Sequence, residues 1–318
     1  MKAAVVCELG KTPEYGDFEE PVAFEGEVCV TVIASALTNF TKVRAAGKHF
    51  SFNAKPPFIV GIDGVGRLDD GRRVYFLFPR PPHGGMAERT VVSRSQYVEV
   101  PDVVDDITLA AIADPGMSAW VALEARAKLV HGETVLVNGA TGSAGSMAVQ
   151  IAKFLGAKKV IATGRNQKDL EGVLSIGADE VILLADDGSS SPAVFKKHFE
   201  QGVDIVLDHL WGSSAESLIA AASAQKSRNP TRFVQIGTAS SPDIRLAGMS
   251  LRSSNIQLMG SGIGSVAPEQ ILEILARLFQ AAAVVGFKIA TEALPLSHFG
   301  DVWSTGKNTP RIVFTMNV

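Results

Sequence analysis

With 318 residues and 46% apolar content, the chain can build two hydrophobic cores, and its net charge of −3 leaves no basic surplus for a nucleic-acid partner. Two cysteines, Cys7 and Cys29, can form neither a disulfide framework nor a four-thiolate zinc site, which fits a reducing compartment and gives an expected cytoplasmic location. Residues 1–8 are too short for a signal-peptide core and no later stretch reaches the roughly 18 apolar residues of a bilayer span, so neither secretion nor membrane insertion is expected.

The first hundred residues read as short strands at 2–7, 27–34, 58–62, 73–78 and 87–92, separated by glycines and prolines, with one helical candidate at 39–47. The loop at 79–85 holds too many prolines for a central strand. After Pro115 strands and helices alternate: strands at 133–138, 159–163, 180–184, 203–207, 232–236 and 256–260, helices at 143–155, 168–175, 213–223 and 268–283. This alternation predicts a parallel sheet covered on both faces. The run 188–192, rich in serine, reads as a surface loop. The tail returns to β texture at 288–294 and 311–316 around a short helix at 298–304, and is expected to fold back onto the first domain.

The most informative segment is Asn138-Gly139-Ala140-Thr141-Gly142-Ser143-Ala144-Gly145, lying between a strand and a helix. Pyrophosphate binding needs backbone N–H groups at a helix N-terminus, where a Cβ would obstruct the approach. Gly142 is placed for that approach and Gly145 for close helix–strand packing, although the usual G-x-G-x-x-G is shifted, with Ala140 at its first glycine. The second strand ends Ala162-Thr163-Gly164-Arg165-Asn166-Gln167-Lys168, with no carboxylate before Asp169 to hold a ribose 2′-OH. Arg165 and Lys168 bracket that turn instead, which predicts NADP(H), with Arg165 a planar donor to the 2′-phosphate. Carboxyl ends of parallel strands gather ligands, which adds His209, Leu210 and Trp211 to the candidates.

With these residues the chain resembles the medium-chain dehydrogenase/reductase superfamily, in its zinc-free quinone oxidoreductase-like branch. The resemblance rests also on Asn39-Phe40-Thr41-Lys42, on residues 57–66, on Gly84-Gly85-Met86-Ala87-Glu88, on Pro115-Gly116-Met117-Ser118-Ala119-Trp120 and on Val234-Gln235-Ile236-Gly237. It implies an α/β fold in which a GroES-like β domain (1–115 and 285–318), carrying substrate and catalysis, holds an inserted doubly wound Rossmann domain (116–284) for NADP. It also implies a nicotinamide near Asn39, Ser118, Gly237, Thr238 and the segment with Ser261, Gly262 and Ile263, with Arg311 on the last strand at its border. Zinc alcohol dehydrogenases of the superfamily have a cysteine where this chain has Asn39 and a histidine where it has Ile62, and neither replacement is a zinc ligand.

Without a Lewis acid, hydride transfer to a quinone or α,β-unsaturated carbonyl becomes the expected reaction. Such transfer asks the protein mainly for alignment, polarisation of the carbonyl oxygen and a proton. Asn39, Lys42, Tyr75 and His209 are the candidates for catalytic work, with water an alternative proton source. Asn39 and Ser118 could equally cap backbone groups, Trp211 could be packing, and Asp63 is expected to support a neighbour rather than react. An NADPH-binding protein with a sensing or structural role and no turnover is the alternative, and an alcohol or aldehyde dehydrogenase a further one. The expected partners are a small carbonyl substrate and a second copy of the chain, paired through the sheet edge at 255–260.

Overall fold

The structure is a computed structural model, and it describes residues 1–48, 54–186, 192–225, 229–303 and 310–316. Gly188 to Ser191 of the expected loop, and Ser304 at the end of the expected tail helix, lie outside the described residues. The chain groups into two compact units, residues 1–114 with 275–318, and residues 115–274.

The first unit is built on two mainly antiparallel sheets. Strands β1 (Lys2–Val6), β2 (Glu14–Asp17) and β4 (Phe58–Ile59) form a small sheet in the order β2-β1-β4. Strands β3 (Glu27–Ala36), β5 (Asp63–Leu68), β6 (Arg73–Leu77), β7 (Arg89–Ser93) and β8 (Tyr97–Glu99) form the larger sheet with the tail strands β15 (Thr291–Pro295) and β16 (Arg311–Thr315). The tail joins this sheet because β16 pairs antiparallel with β3, Phe314 opposite Ser35. The core beneath holds Val30, Val32, Val74, Phe76, Phe299 and Phe314. Helix α1 (Asn39–Ala45) follows β3, and α9 (Phe299–Trp303) precedes β16.

The expected strand at 58–62 is shorter in the structure and ends at Ile59. Gly61, at φ +98, turns the chain between β4 and β5, and a Cβ there would lie 2.8 Å from the Met86 nitrogen. Strands β2, β5 and β8 add to the expected set, as does helix α2 (Asp106–Trp120), which carries Pro115 in its interior. The Asp105 carboxylate starts that helix by accepting from Thr108 N at 2.8 Å, a side-chain cap of the kind that opens helices. A π-helical turn, Val121–Arg126, continues it.

The second unit is the parallel sheet. Strands β9 (Thr134–Asn138), β10 (Lys159–Gly164), β11 (Glu180–Leu183), β12 (Ile205–Asp208), β13 (Thr231–Gln235) and β14 (Ile256–Gly260) lie in the order β11-β10-β9-β12-β13-β14. The reversal of direction at β9 is where such sheets open a crevice at their carboxyl ends. Helices α3 (Ser143–Phe154), α4 (Gln167–Leu174), α5 (Pro192–Gln201) and α6 (Gly212–Ser223) connect successive strands, α7 (Gly248–Arg252) leads into β14, and α8 (Pro268–Val285) follows it. The central strands are apolar throughout because both faces are covered: Val135, Leu136, Val137, Ile205, Val206 and Leu207 are all buried. The edge strand β14 is only partly buried. Among the described residues no helix is long and apolar enough to cross a membrane.

Candidate functional site

The chain leaves β9 through Gly139, whose φ of +86 suits a residue without a side chain. The turn is fastened to the next strand: Gly139 N donates to Thr163 Oγ1 at 3.0 Å and Ala140 N to the Thr163 carbonyl at 2.8 Å. Gly142 caps α3 with extended backbone and no side chain to accept from the first turn, and that turn carries no acid. The first N–H groups of a helix lack intrahelical acceptors, so Ser143, Ala144 and Gly145 form a positive end that favours an anion. A Cβ on Gly142 would meet nothing within 4 Å, whereas one on Gly145 would lie 2.2 Å from the Gly139 carbonyl oxygen. The protein's own packing therefore requires a glycine at 145 and leaves open the space beside 142.

At the end of β10, a Cβ on Gly164 would approach Thr141 Cγ2 to 2.6 Å, so this strand end and the glycine turn are in close contact. Arg165 and Lys168 follow, both exposed. Arg165 Nη1 makes a long contact of 3.4 Å to the Asp186 carbonyl. Asn166 caps α4 by accepting from Lys168 N and Asp169 N, which fixes the helix start beside these cations. A phosphate at this strand end would meet an exposed guanidinium and ammonium.

A buried polar network absent from the sequence reading ties the turn to the end of β12. Thr163 Oγ1 donates to Asn138 Oδ1 at 2.7 Å, and Asn138 Nδ2 donates to Asp208 Oδ1 at 2.7 Å and Ser214 Oγ at 2.9 Å. Asp208 also accepts from Leu210 N at 3.1 Å and Trp211 N at 3.2 Å. Burial pushes this carboxyl up to about 6, against the opposing hydrogen bonds from Asn138, Leu210 and Trp211. Those bonds hold Trp211 in the left-handed region, φ 59, and seat Leu210 against Gly139, whose Cβ would lie 2.8 Å from Leu210 Cδ2. Trp211 is half-buried, its ring edge-on to Phe233 at 6.4 Å between centroids.

His209 is buried, its Nε2 has no hydrogen-bond partner among the described residues, and burial lowers its pKa to about 4, so the ring is neutral at neutral pH. Its carbonyl would lie 2.7 Å from a Cβ on Gly237, which explains the glycine there. Thr238 is exposed, and Ser118 is half-buried within α2. Ser261, Gly262 and Ile263 leave the end of β14, Ser261 N donating to the Gln235 carbonyl at 2.8 Å.

The remaining candidates lie in the first unit. Asn39 is exposed and opens α1, but the cap is Thr38, whose Oγ1 accepts from Thr41 N at 2.9 Å. Lys42 is half-buried with its Nζ 5.9 Å from the Trp303 ring centre, and burial lowers its pKa. Tyr75 is 1% exposed, packs on Phe279 at 5.2 Å between ring centres, and hydrogen bonds to the Asp63 carboxyl. Burial, with the nearby Asp63 and Asp114, holds its hydroxyl well above the usual phenol range. Burial and then Asp114 push Asp63 up to about 7, opposed by Tyr75, Arg311 and Arg44. Arg311 is buried, donating from Nη2 to Asp114 Oδ2 at 3.0 Å, and its Nε has no partner among the described residues. Desolvation also lowers Arg44 to about 10. Asp63, Tyr75, Asp114, Arg44 and Arg311 thus interact electrostatically, and the sequence reading singles out neither Asp114 nor Arg44.

Comparison with known proteins adds to this geometry. Residues 144–281 match the family model described as zinc-binding dehydrogenase. The chain is 26% identical over 312 residues to the probable NADPH-dependent quinone reductase tdiC of Emericella nidulans, covering 86% of this chain and 87% of that protein. It is 29% identical over 226 residues to the quinone oxidoreductase of Lama guanicoe, 66% of either chain. Among solved structures, the quinone oxidoreductase of Thermus thermophilus, determined also in complex with NADPH, superposes with a TM-score of 0.80 at 26% identity, over 99% of this chain and 100% of that one.

Proposed function

The chain belongs to the medium-chain dehydrogenase/reductase superfamily, in its quinone oxidoreductase-like branch, and on that premise we propose that it is an NADPH-dependent reductase of quinones or α,β-unsaturated carbonyls that works without zinc. The observation that carries the cofactor half of this reading is the pairing of Gly142 with Arg165. A helix start capped by Gly142, which has no side chain and open space beside it, suits a pyrophosphate, and exposed cations at the neighbouring strand end suit a 2′-phosphate. When bound, the dinucleotide supplies a hydride from its nicotinamide ring.

The chain's own residues then bind and orient. Ser143, Ala144 and Gly145 present backbone N–H groups to the diphosphate, while Arg165 and Lys168 select the phosphorylated ribose. The network from Thr163 through Asn138 to Asp208 keeps the glycine turn and the Leu210-Trp211 segment in register. Asn39 and Ile62 supply neither thiolate nor imidazole, which supports chemistry on carbonyls already activated by conjugation. Tyr75 binds its proton too firmly to release it readily, and His209 is a neutral ring. The lowered pKa of Lys42 makes it the better acid of the three, with water the other proton source. The test is loss of NADPH absorbance on adding 1,4-benzoquinone, 9,10-phenanthrenequinone or a simple enone. Turnover of any of them supports the reading, and nucleotide binding with no turnover across the panel favours a sensing or structural role.

A further inference from the structure

Arg126 is the last residue of the π-helical turn Val121–Arg126, and it reaches a segment 134 residues further along the chain. Its Nε donates to the Gly260 carbonyl at 2.9 Å and its Nη1 to the Ser265 carbonyl at 3.4 Å, so one guanidinium spans the two ends of the segment that follows β14. Within the span, Gly262 N donates to Ser265 Oγ at 3.0 Å and that hydroxyl donates to the Gly262 carbonyl at 2.7 Å. Arg126 is itself held in place. Arg232 on β13 donates to the carbonyls of Ala127 at 2.8 Å and Lys128 at 3.2 Å, pinning a turn in which Lys128 takes the left-handed φ of 54. Single π-turns within helices often mark functional sites.

The glycines at the tip of the clamped segment have no internal explanation. A Cβ on Gly262 or Gly264 would meet nothing within 4 Å, and neither residue lies in the left-handed region. Space kept clear without a packing need is what close approach of a ligand demands. The sheet order indicates which part of a ligand. β14 lies beyond β12 and β13 on one side of β9, while Arg165 follows β10 on the other. A dinucleotide seated by its diphosphate on the turn after β9 therefore directs its phosphorylated ribose toward β10 and its other half toward β12–β14.

We propose that Arg126 is a positioning residue that holds Ser261 to Gly264 as a preformed rim for the nicotinamide half of the cofactor. The proposal rests on the dinucleotide reading above. Ordering the rim in advance removes a cost that binding would otherwise bear.

The test compares two ligands by titration calorimetry, NADPH and 2′,5′-ADP, which shares the phosphorylated ribose but lacks the nicotinamide half. Arg126→Met is expected to weaken NADPH on the order of tenfold while leaving 2′,5′-ADP within about twofold. Arg126→Lys, able to reach one carbonyl, is expected to recover part of the loss. Equal weakening of both ligands, or no change in either, would overturn the proposal, and an unaltered thermal midpoint separates a loosened rim from a damaged fold. If wild-type protein binds 2′,5′-ADP but gains nothing from the nicotinamide half, the positioning role fails while the phosphate site stands. If it binds neither ligand, the dinucleotide reading fails and this role with it.

Discussion

Gly145 and Gly139 are packed so closely that a Cβ on the first would lie 2.2 Å from the carbonyl oxygen of the second and 2.6 Å from Ala140 Cα. Both obstructing atoms belong to backbone, so a side chain at 145 must displace the turn itself. Gly145→Ala is expected to cost about 1–3 kcal/mol of stability in chemical denaturation, the range for overpacking. Gly142→Ala is expected to behave oppositely, because its backbone is ordinary and its surroundings are empty. Stability should stay within about 0.5 kcal/mol while NADPH affinity falls. Equal loss of stability in the two variants would contradict the division of labour between these glycines.

Arg165 is exposed, and its contact to the Asp186 carbonyl is long, so little in the fold depends on it. Removing a charge-assisted partner of a phosphate costs about 1.5–3 kcal/mol. Arg165→Ala should therefore lower the preference for NADPH over NADH by at least about tenfold, with the thermal midpoint unchanged. Steady-state constants for the two cofactors measure this, and an unaltered ratio removes Arg165 from the role.

Thr163 serves two neighbours at once, donating to the buried Asn138 Oδ1 and accepting from Gly139 N. Thr163→Val keeps the shape and leaves both without that partner. A loss of about 1–3 kcal/mol is expected, together with weaker nucleotide binding because the turn loses its fastening. Thr163→Ser, which retains the hydroxyl, should recover most of both in the same denaturation and binding measurements.

The Asp63 carboxyl, raised from 3.8 to about 7, binds its proton more tightly in the folded than in the unfolded chain. Its favourable contribution is complete below the ordinary carboxyl range and is lost as the pH rises through about 7. His209 has the opposite sign: lowered from 6.5 to about 4, it weakens folding as the pH falls across that interval. Asp63→Asn should thus gain stability relative to wild type as the pH rises from about 5 to about 8, as read from paired denaturation curves. A difference that does not change with pH would show that Asp63 titrates normally.

The doubly wound sheet was legible because its signals are local: apolar runs such as Val135-Leu136-Val137, a glycine turn, and helices with one apolar face. Helix α2 was hidden by Pro115-Gly116, which read as a break although the helix runs through both residues to Trp120. The polar networks were hidden for a different reason. Asn138 meets Thr163 across 25 residues and Asp208 across 70, and Arg126 meets Gly260 across 134, so nothing in the neighbouring sequence reports the pairing. Asp208 carried one usable signal, an ionisable residue closing the apolar run of a central strand, where burial demands partners. Asp63 and Tyr75 show how exposure governs a role: both were visible as ionisable residues, but their burial changes what protons they hold.

Hydride transfer itself is the most direct measurement. NADPH carrying deuterium at nicotinamide C4, prepared separately with the label on each face, is incubated with the protein and a simple enone, and the product is analysed by mass spectrometry. A product that acquires one deuterium from one of the two labelled cofactors is the predicted result. NADPH that binds yet transfers no label from either face to any enone, and is not consumed by any quinone, would contradict the assignment of this chain as a reductase.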